Sequence, residues 1–115
     1  MATVTLTNDT FADTVTNNEL VFVDFWAEWC GPCRMFAPVY EKLAEENSDI
    51  VFGKVDTEAQ EQLAAEFNIM SIPTLMIFKD QTVVFAQPGA LGEHSLRELI
   101  GKARELDMAE VRRSA

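Results

Sequence analysis

Only two cysteines and one histidine occur in the 115 residues of this chain. A structural zinc site wants four ligands, usually Cys or His, so the ligand count argues against a resident metal. Basic residues are also scarce. Nine Lys and Arg stand against nineteen Asp and Glu, for a net charge of −10. Nucleic acid and anionic membrane surfaces would be repelled by such a chain. Its acidity favours solubility and would suit a partner with a basic docking face. No apolar run approaches the ~20 residues needed to span a bilayer. The stretch Met1-Ala2-Thr3-Val4-Thr5 has neither a basic region nor an apolar region of the secretory kind, so a cytoplasmic address is expected. Disulfides in that compartment are usually catalytic or transient. No Gly-rich phosphate loop is present, so a nucleotide cofactor is not expected on this chain. Internal repeats, low-complexity blocks and linkers are missing too, and the length suits a single domain, 1–115.

What is there is ordinary globular material: 48% hydrophobic and 24% charged residues, enough for one real core. Thr3 to Leu6 reads as a short edge strand. Asn8 or Asp9 is placed to cap a helix carrying Phe11 and Val15. Leu20 to Trp26 is nearly all apolar, as a central strand covered on both faces would be, which makes its one charge, Asp24, conspicuous. Phe36, Tyr40 and Leu43 share one face of the next helix, and Pro38 inside it predicts a kink. Ile50 to Val55 is a second apolar strand, interrupted by Gly53 and Lys54. Thr57 to Gln60 has capping-box spacing, and Leu63, Ala64 and Phe67 form the stripe of the helix it announces, with Asn68 as a left-handed stop. Leu75 to Phe78 and Thr82 to Ala86 read as a hairpin around a turn at Lys79-Asp80-Gln81-Thr82, which lacks the Gly that tight turns prefer. Pro88-Gly89 breaks the second arm. Leu96, Leu99, Ile100 and Ala103 mark a final amphipathic helix, with His94 exposed in its first turn. From about residue 107 the stripe is lost and a flexible tail is expected. The order β-α-β-α-β-α-β-β-α combines parallel βαβ units with an antiparallel hairpin. It predicts an α/β fold with a mixed central sheet and helices on both faces.

The two cysteines lie within Trp29-Cys30-Gly31-Pro32-Cys33, between the apolar strand and the following helix. As a structural staple the pair closes a loop of only four residues, worth about 2 kcal/mol at most. As a redox pair it has a clear logic. A sulfur at a helix N-terminus is favoured as thiolate by the macrodipole and the unpaired N–H groups, by about 0.3–2 kcal/mol. Cys33, one turn on, lies on the same side and should be the more shielded thiol, suited to resolve a mixed disulfide formed at Cys30. Asp24, six residues before Cys30, is a carboxylate in an apolar strand, and burial should raise its pKa towards neutrality.

Phe25-Trp26-Ala27-Glu28-Trp29-Cys30-Gly31-Pro32-Cys33 resembles the active-site segment of the thioredoxin family, and the likeness extends along nearly the whole chain to about Leu106. The resemblance implies the thioredoxin fold and a protein-disulfide reductase. Cys30 would be the nucleophile and Cys33 the resolving thiol. Asp24 would be the general acid/base acting through a water, and Lys54 would modulate it. The pair Gly31-Pro32 is of the reducing type, where oxidising and isomerising relatives usually carry a His. An Ile72-Pro73 bond read alone is as compatible with trans as with cis; the resemblance implies cis. The implied docking surface is Trp29, Gly31, Pro32, Ile72, Pro73, Gly89 and Ala90, with Trp26 packed beside the motif. The implied partners are diverse disulfide-containing proteins and a thioredoxin reductase that draws on NADPH, the chain itself working as a monomer without a bound cofactor. Ser71 and Pro88 depart from the family pattern at the docking rim and bear on partner choice. The competing readings are an oxidant or isomerase on the same fold, and a binding module in which the dithiol is incidental.

Overall fold

The run Leu20–Trp26 becomes strand β2, the middle of a five-stranded sheet of order β1-β3-β2-β4-β5 in the computed structural model, which describes residues 1–114. The other strands are β1 (Thr3–Thr5), β3 (Val51–Asp56), β4 (Thr74–Lys79) and β5 (Thr82–Pro88). Helices α1 (Phe11–Asn17), α2 (Gly31–Glu46), α3 (Glu61–Glu66), α4 (Glu93–Glu105) and α5 (Met108–Ser114) connect and cover them. Strands β1, β3 and β2 run parallel, whereas β4 runs antiparallel to both β2 and β5. The expected mixed sheet is therefore present.

Both faces of β2 are apolar because both are covered. Phe22 packs with Phe36 and Tyr40 of α2 and with Leu96 and Ile100 of α4. On the opposite face Val21, Val23 and Phe25 meet Phe11 of α1 and Leu63 of α3. Helix α2 runs through Pro38 to Glu46. Gly53 interrupts the apolar strand for a steric reason: a Cβ there would overlap Leu6 Cδ1 and lie 2.9 Å from Leu6 Cγ.

Several local expectations change. Helix α1 starts after Thr10, whose side chain turns back to accept from the Thr7 N–H at 3.0 Å, so neither Asn8 nor Asp9 caps it. The capping-box spacing at Thr57 does not start a helix. The Thr57 hydroxyl donates to the Trp26 carbonyl at 3.1 Å, Asp56 Oδ1 accepts from the Glu58 N–H at 2.9 Å, and α3 begins only at Glu61. Strand β5 continues past Ala86 to Pro88, opposite Thr74, because an edge strand tolerates a residue without an N–H. Asp80 and Gln81 turn the hairpin with φ of 50° and 66°, left-handed at both positions despite the missing Gly.

The stretch read as a flexible tail forms α5 up to Ser114, anchored by the buried Met108. The apolar stripe was unreadable there because one residue, not a periodic face, makes the anchor. Lys79, read as part of the turn, instead ends β4 and is only 6% exposed. Its ammonium donates to the carbonyls of Ala103, Arg104 and Leu106 at 2.8, 3.0 and 2.9 Å, where α4 ends. Carbonyls at a helix end lack the usual intrahelical partners; here the Ala103 carbonyl also accepts a backbone N–H, that of Leu106 at 3.4 Å.

Candidate active site

The motif lies just past the C-terminal end of the central strand β2, where α2 begins with Cys30 as its N-cap, in extended conformation. Gly31 and Pro32 open the helix. Nothing lies within 4 Å of where a Gly31 Cβ would stand. Pro32 sacrifices no hydrogen bond, because the first N–H groups of a helix lack intrahelical partners. Cys30 and Cys33 form a disulfide. The Cys33 backbone N–H donates to Cys30 Sγ at 3.2 Å, and the Arg34 N–H to the Cys30 carbonyl at 3.2 Å. A donor fixed by the first helical turn thus already points at the outer sulfur, where a negative thiolate would be held in the reduced protein.

The loop before β4 supplies the facing wall. Ile72-Pro73 is cis, as the resemblance implied. The Ile72 carbonyl oxygen lies 3.7 Å from Cys30 Sγ. Gly89, at φ 109°, donates its N–H to the Pro73 carbonyl at 2.8 Å, which ties the exposed Gly89-Ala90 corner to the same loop.

The two sulfurs differ in what they face rather than in how much of them is exposed. Cys30 is 4% and Cys33 3% exposed, so the expected greater shielding of Cys33 is not a matter of surface area. Cys30 borders an open groove of about 490 Å³ that Trp29, Gly31, Pro32 and Ile72 also line. Cys33 borders a separate cavity of about 270 Å³ on the other side of the motif, shared with Trp26, Arg34 and Lys54. Glu28, Arg34 and Lys54 and the available room suit that cavity to hold water.

Asp24 is 1% exposed and neither carboxylate oxygen has a hydrogen-bond partner in the described residues. Burial raises its pKa from 3.8 to about 7, and the Lys54 charge pulls in the opposite direction. The two stand opposite each other in the parallel register of β2 and β3. Lys54 Nζ sits 4.9 Å above the Trp26 ring, a cation–π contact, and reaches the cavity behind Cys33. Asp24 itself does not line that cavity.

Two residues at the site carried no signal in the sequence. Glu58 accepts from Trp29 Nε1 at 3.0 Å and so orients the exposed indole. Met70 lines the groove beside Cys30. A glutamate in a turn and a methionine in a loop look like surface until the fold brings them to the sulfurs. Pro73, Gly89 and Ala90 are not among the residues that line this groove. Among the described residues no group of His, Cys, Asp and Glu is arranged to hold a metal, and no helix is long and apolar enough to cross a membrane.

Comparison with known proteins gives this geometry a context. The thioredoxin family model matches residues 2–102. A Streptomyces coelicolor protein named "Putative thioredoxin 2" is 65% identical over 113 residues, covering 98% of this chain and 84% of its own. A thioredoxin of Mycobacterium tuberculosis is 46% identical over 101 residues, 85% of this chain and 87% of its own. Among solved structures, a Plasmodium falciparum thioredoxin superposes with a TM-score of 0.80 at 37% identity, covering 87% of this chain and 97% of that one. A mutant thioredoxin from Halobacterium salinarum gives 0.82 at 35% identity, over 92% and 95% of the two chains. With the sequence, the sheet order and the disulfide at the start of α2 all agreeing, the chain belongs to the thioredoxin family and is a thiol-disulfide oxidoreductase that reduces protein disulfides.

Proposed function

We propose that Cys30 is the attacking sulfur, Cys33 the resolving one, and Asp24 the group that moves the proton of Cys33. In the reduced protein the Cys30 thiolate attacks one sulfur of a substrate disulfide. A Cys30–substrate bond forms and the other substrate sulfur leaves as a thiolate, which takes up a proton. Cys33 then loses its proton to Asp24 through a water and attacks Cys30 Sγ. The Cys30–Cys33 disulfide forms and the second substrate sulfur leaves. Two electrons pass from the protein to the substrate, which departs as a dithiol.

The observation that carries this reading is the Cys33 N–H aimed at Cys30 Sγ at the mouth of the open groove. It supports charge on the outer sulfur and a substrate approaching from that side. The pKa of Asp24, about 7, suits proton exchange near neutral pH. Lys54, from the adjacent strand, holds that value below what burial alone would give. The Ile72 backbone and the residues around it pair with the extended substrate segment by strand addition. Trp29 covers one side of that segment, Gly31 and Pro32 let it approach the sulfur, and Pro73, Gly89 and Ala90 shape the supporting loops. A reductase drawing on NADPH restores the dithiol. The protein works as a monomeric single domain in the cytoplasm, where dithiols stay reduced.

Reduction of a model protein disulfide in the presence of a small dithiol tests the assignment. Cys30→Ser abolishes turnover, and Cys33→Ser accumulates stable mixed disulfides with substrate. Undiminished turnover by Cys30→Ser would remove the nucleophile. Equal capture of partners by a variant lacking both cysteines would make the chain a binding module instead.

A further inference from the structure

The loop between α3 and β4 is fixed from within. Asn68, at φ 54°, donates its N–H to the Ala65 carbonyl, and Ile69 donates to Ala64. Phe67, Ile69 and Ile72 pack against the core on the α1 side of the sheet. Of the loop's apolar side chains Met70 is the one left outside, 86% exposed. Its side chain borders both the groove beside Cys30 and a second hollow of about 230 Å³ reaching Thr74 and Pro88. None of the residues lining either hollow is charged, in a chain whose net charge is −10. A charged substrate side chain entering there would lose water and meet no charge on the lining itself. The groove is continuous with Cys30, so its occupant is the stretch of substrate flanking the disulfide under attack. Two residues of extended chain cover about 7 Å, which sets the reach of such a contact.

We propose that Met70 is a specificity-determining residue, selecting substrate disulfides that carry a large apolar side chain within two residues of the attacked cysteine. An unbranched thioether between two hollows adapts to apolar side chains of different shape. No fold contact depends on it, so its exposure serves recognition rather than packing. The proposal rests on Cys30 being the attacking sulfur.

The probes are two symmetric peptide disulfides of equal length and charge, one with Leu and one with Ser beside the cysteine. Each is mixed with the reduced full-length protein, and release of peptide thiol is followed in a single turnover. The native chain reduces the Leu peptide faster. Met70→Ser lowers the Leu-to-Ser rate ratio about fivefold, the scale of one lost apolar contact, and Met70→Leu restores it. A ratio unchanged in Met70→Ser, at unchanged thermal stability, overturns the proposal. Undiminished peptide reduction by Cys30→Ser overturns the Cys30 reading on which it rests, whereas equal rates of the native chain on both peptides overturn the Met70 role alone.

Discussion

Asp24 is the residue at which stability and function pull apart. It has a folded-state pKa of about 7 against 3.8 for a free side chain. Between those values the folded chain keeps a proton that the unfolded chain has lost. The contribution of Asp24 to stability is therefore greatest below about pH 4, falls as pH rises through about 7, and levels off above. The whole effect is at most about 4 kcal/mol. Asp24→Asn removes the penalty, so the oxidised variant is more stable than the native protein by about 2–4 kcal/mol at pH 8 and by much less at pH 4. Urea unfolding at the two pH values checks this, and an equal gain at both would contradict a buried ionisable carboxyl. In exchange kinetics the same variant slows resolution by Cys33 more than attack by Cys30. The charge of Asp24 was conspicuous in the sequence as the only one in the apolar run Leu20 to Trp26. Its lack of any hydrogen-bond partner was not, since that depends on what α2 places above it.

At the level of elements, the join between β4 and α4 shows how a pattern can mislead. Lys79 follows four apolar residues and precedes Asp80, so it reads as the first residue of a turn. Instead its ammonium closes the end of a helix more than twenty residues away in sequence, through three carbonyls. A cation at a helix C-terminus is also favoured by the macrodipole. Lys79→Met keeps the length of the side chain but abandons those acceptors, and should cost about 2–3 kcal/mol in thermal or denaturant unfolding. A loss below about 0.5 kcal/mol, as for an ordinary surface change, would show that the cap contributes nothing. Helix boundaries failed for a related reason. Thr57 is a good cap by composition, but its hydroxyl bonds the Trp26 carbonyl outside the helix it was expected to start, and α1 begins after Thr10 rather than at the expected Asn8 or Asp9.

For the molecule as a whole, an uncharged groove sits within a strongly acidic surface. The groove gives contact its apolar character, while the charge acts at longer range on the encounter. Reduction of a basic disulfide protein should slow several-fold as ionic strength rises from about 0.02 to 0.2 M, because the screening length then falls below about 10 Å. An acidic substrate should show the reverse trend. Initial rates across a salt series decide it, and identical slopes for the two substrates would leave the acidity with no part in association.

The alternation of apolar strands with helical stripes was enough to specify a mixed α/β sheet, because covering both faces of β2 demands helices on each side. The short-range motif was equally self-sufficient: Cys-Gly-Pro-Cys places one sulfur at a helix start and the other a turn later, whatever surrounds it. Assembly decided the rest. Which sulfur opens on the groove and why Met70 joins the site follow from the loop that arrives when β4 inserts antiparallel beside β2; Glu58 reaches Trp29 because β3 pairs beside β2, and Asp24 is stripped of partners by the packing of α2. Those contacts connect residues far apart in the chain, and local periodicity carries no record of them.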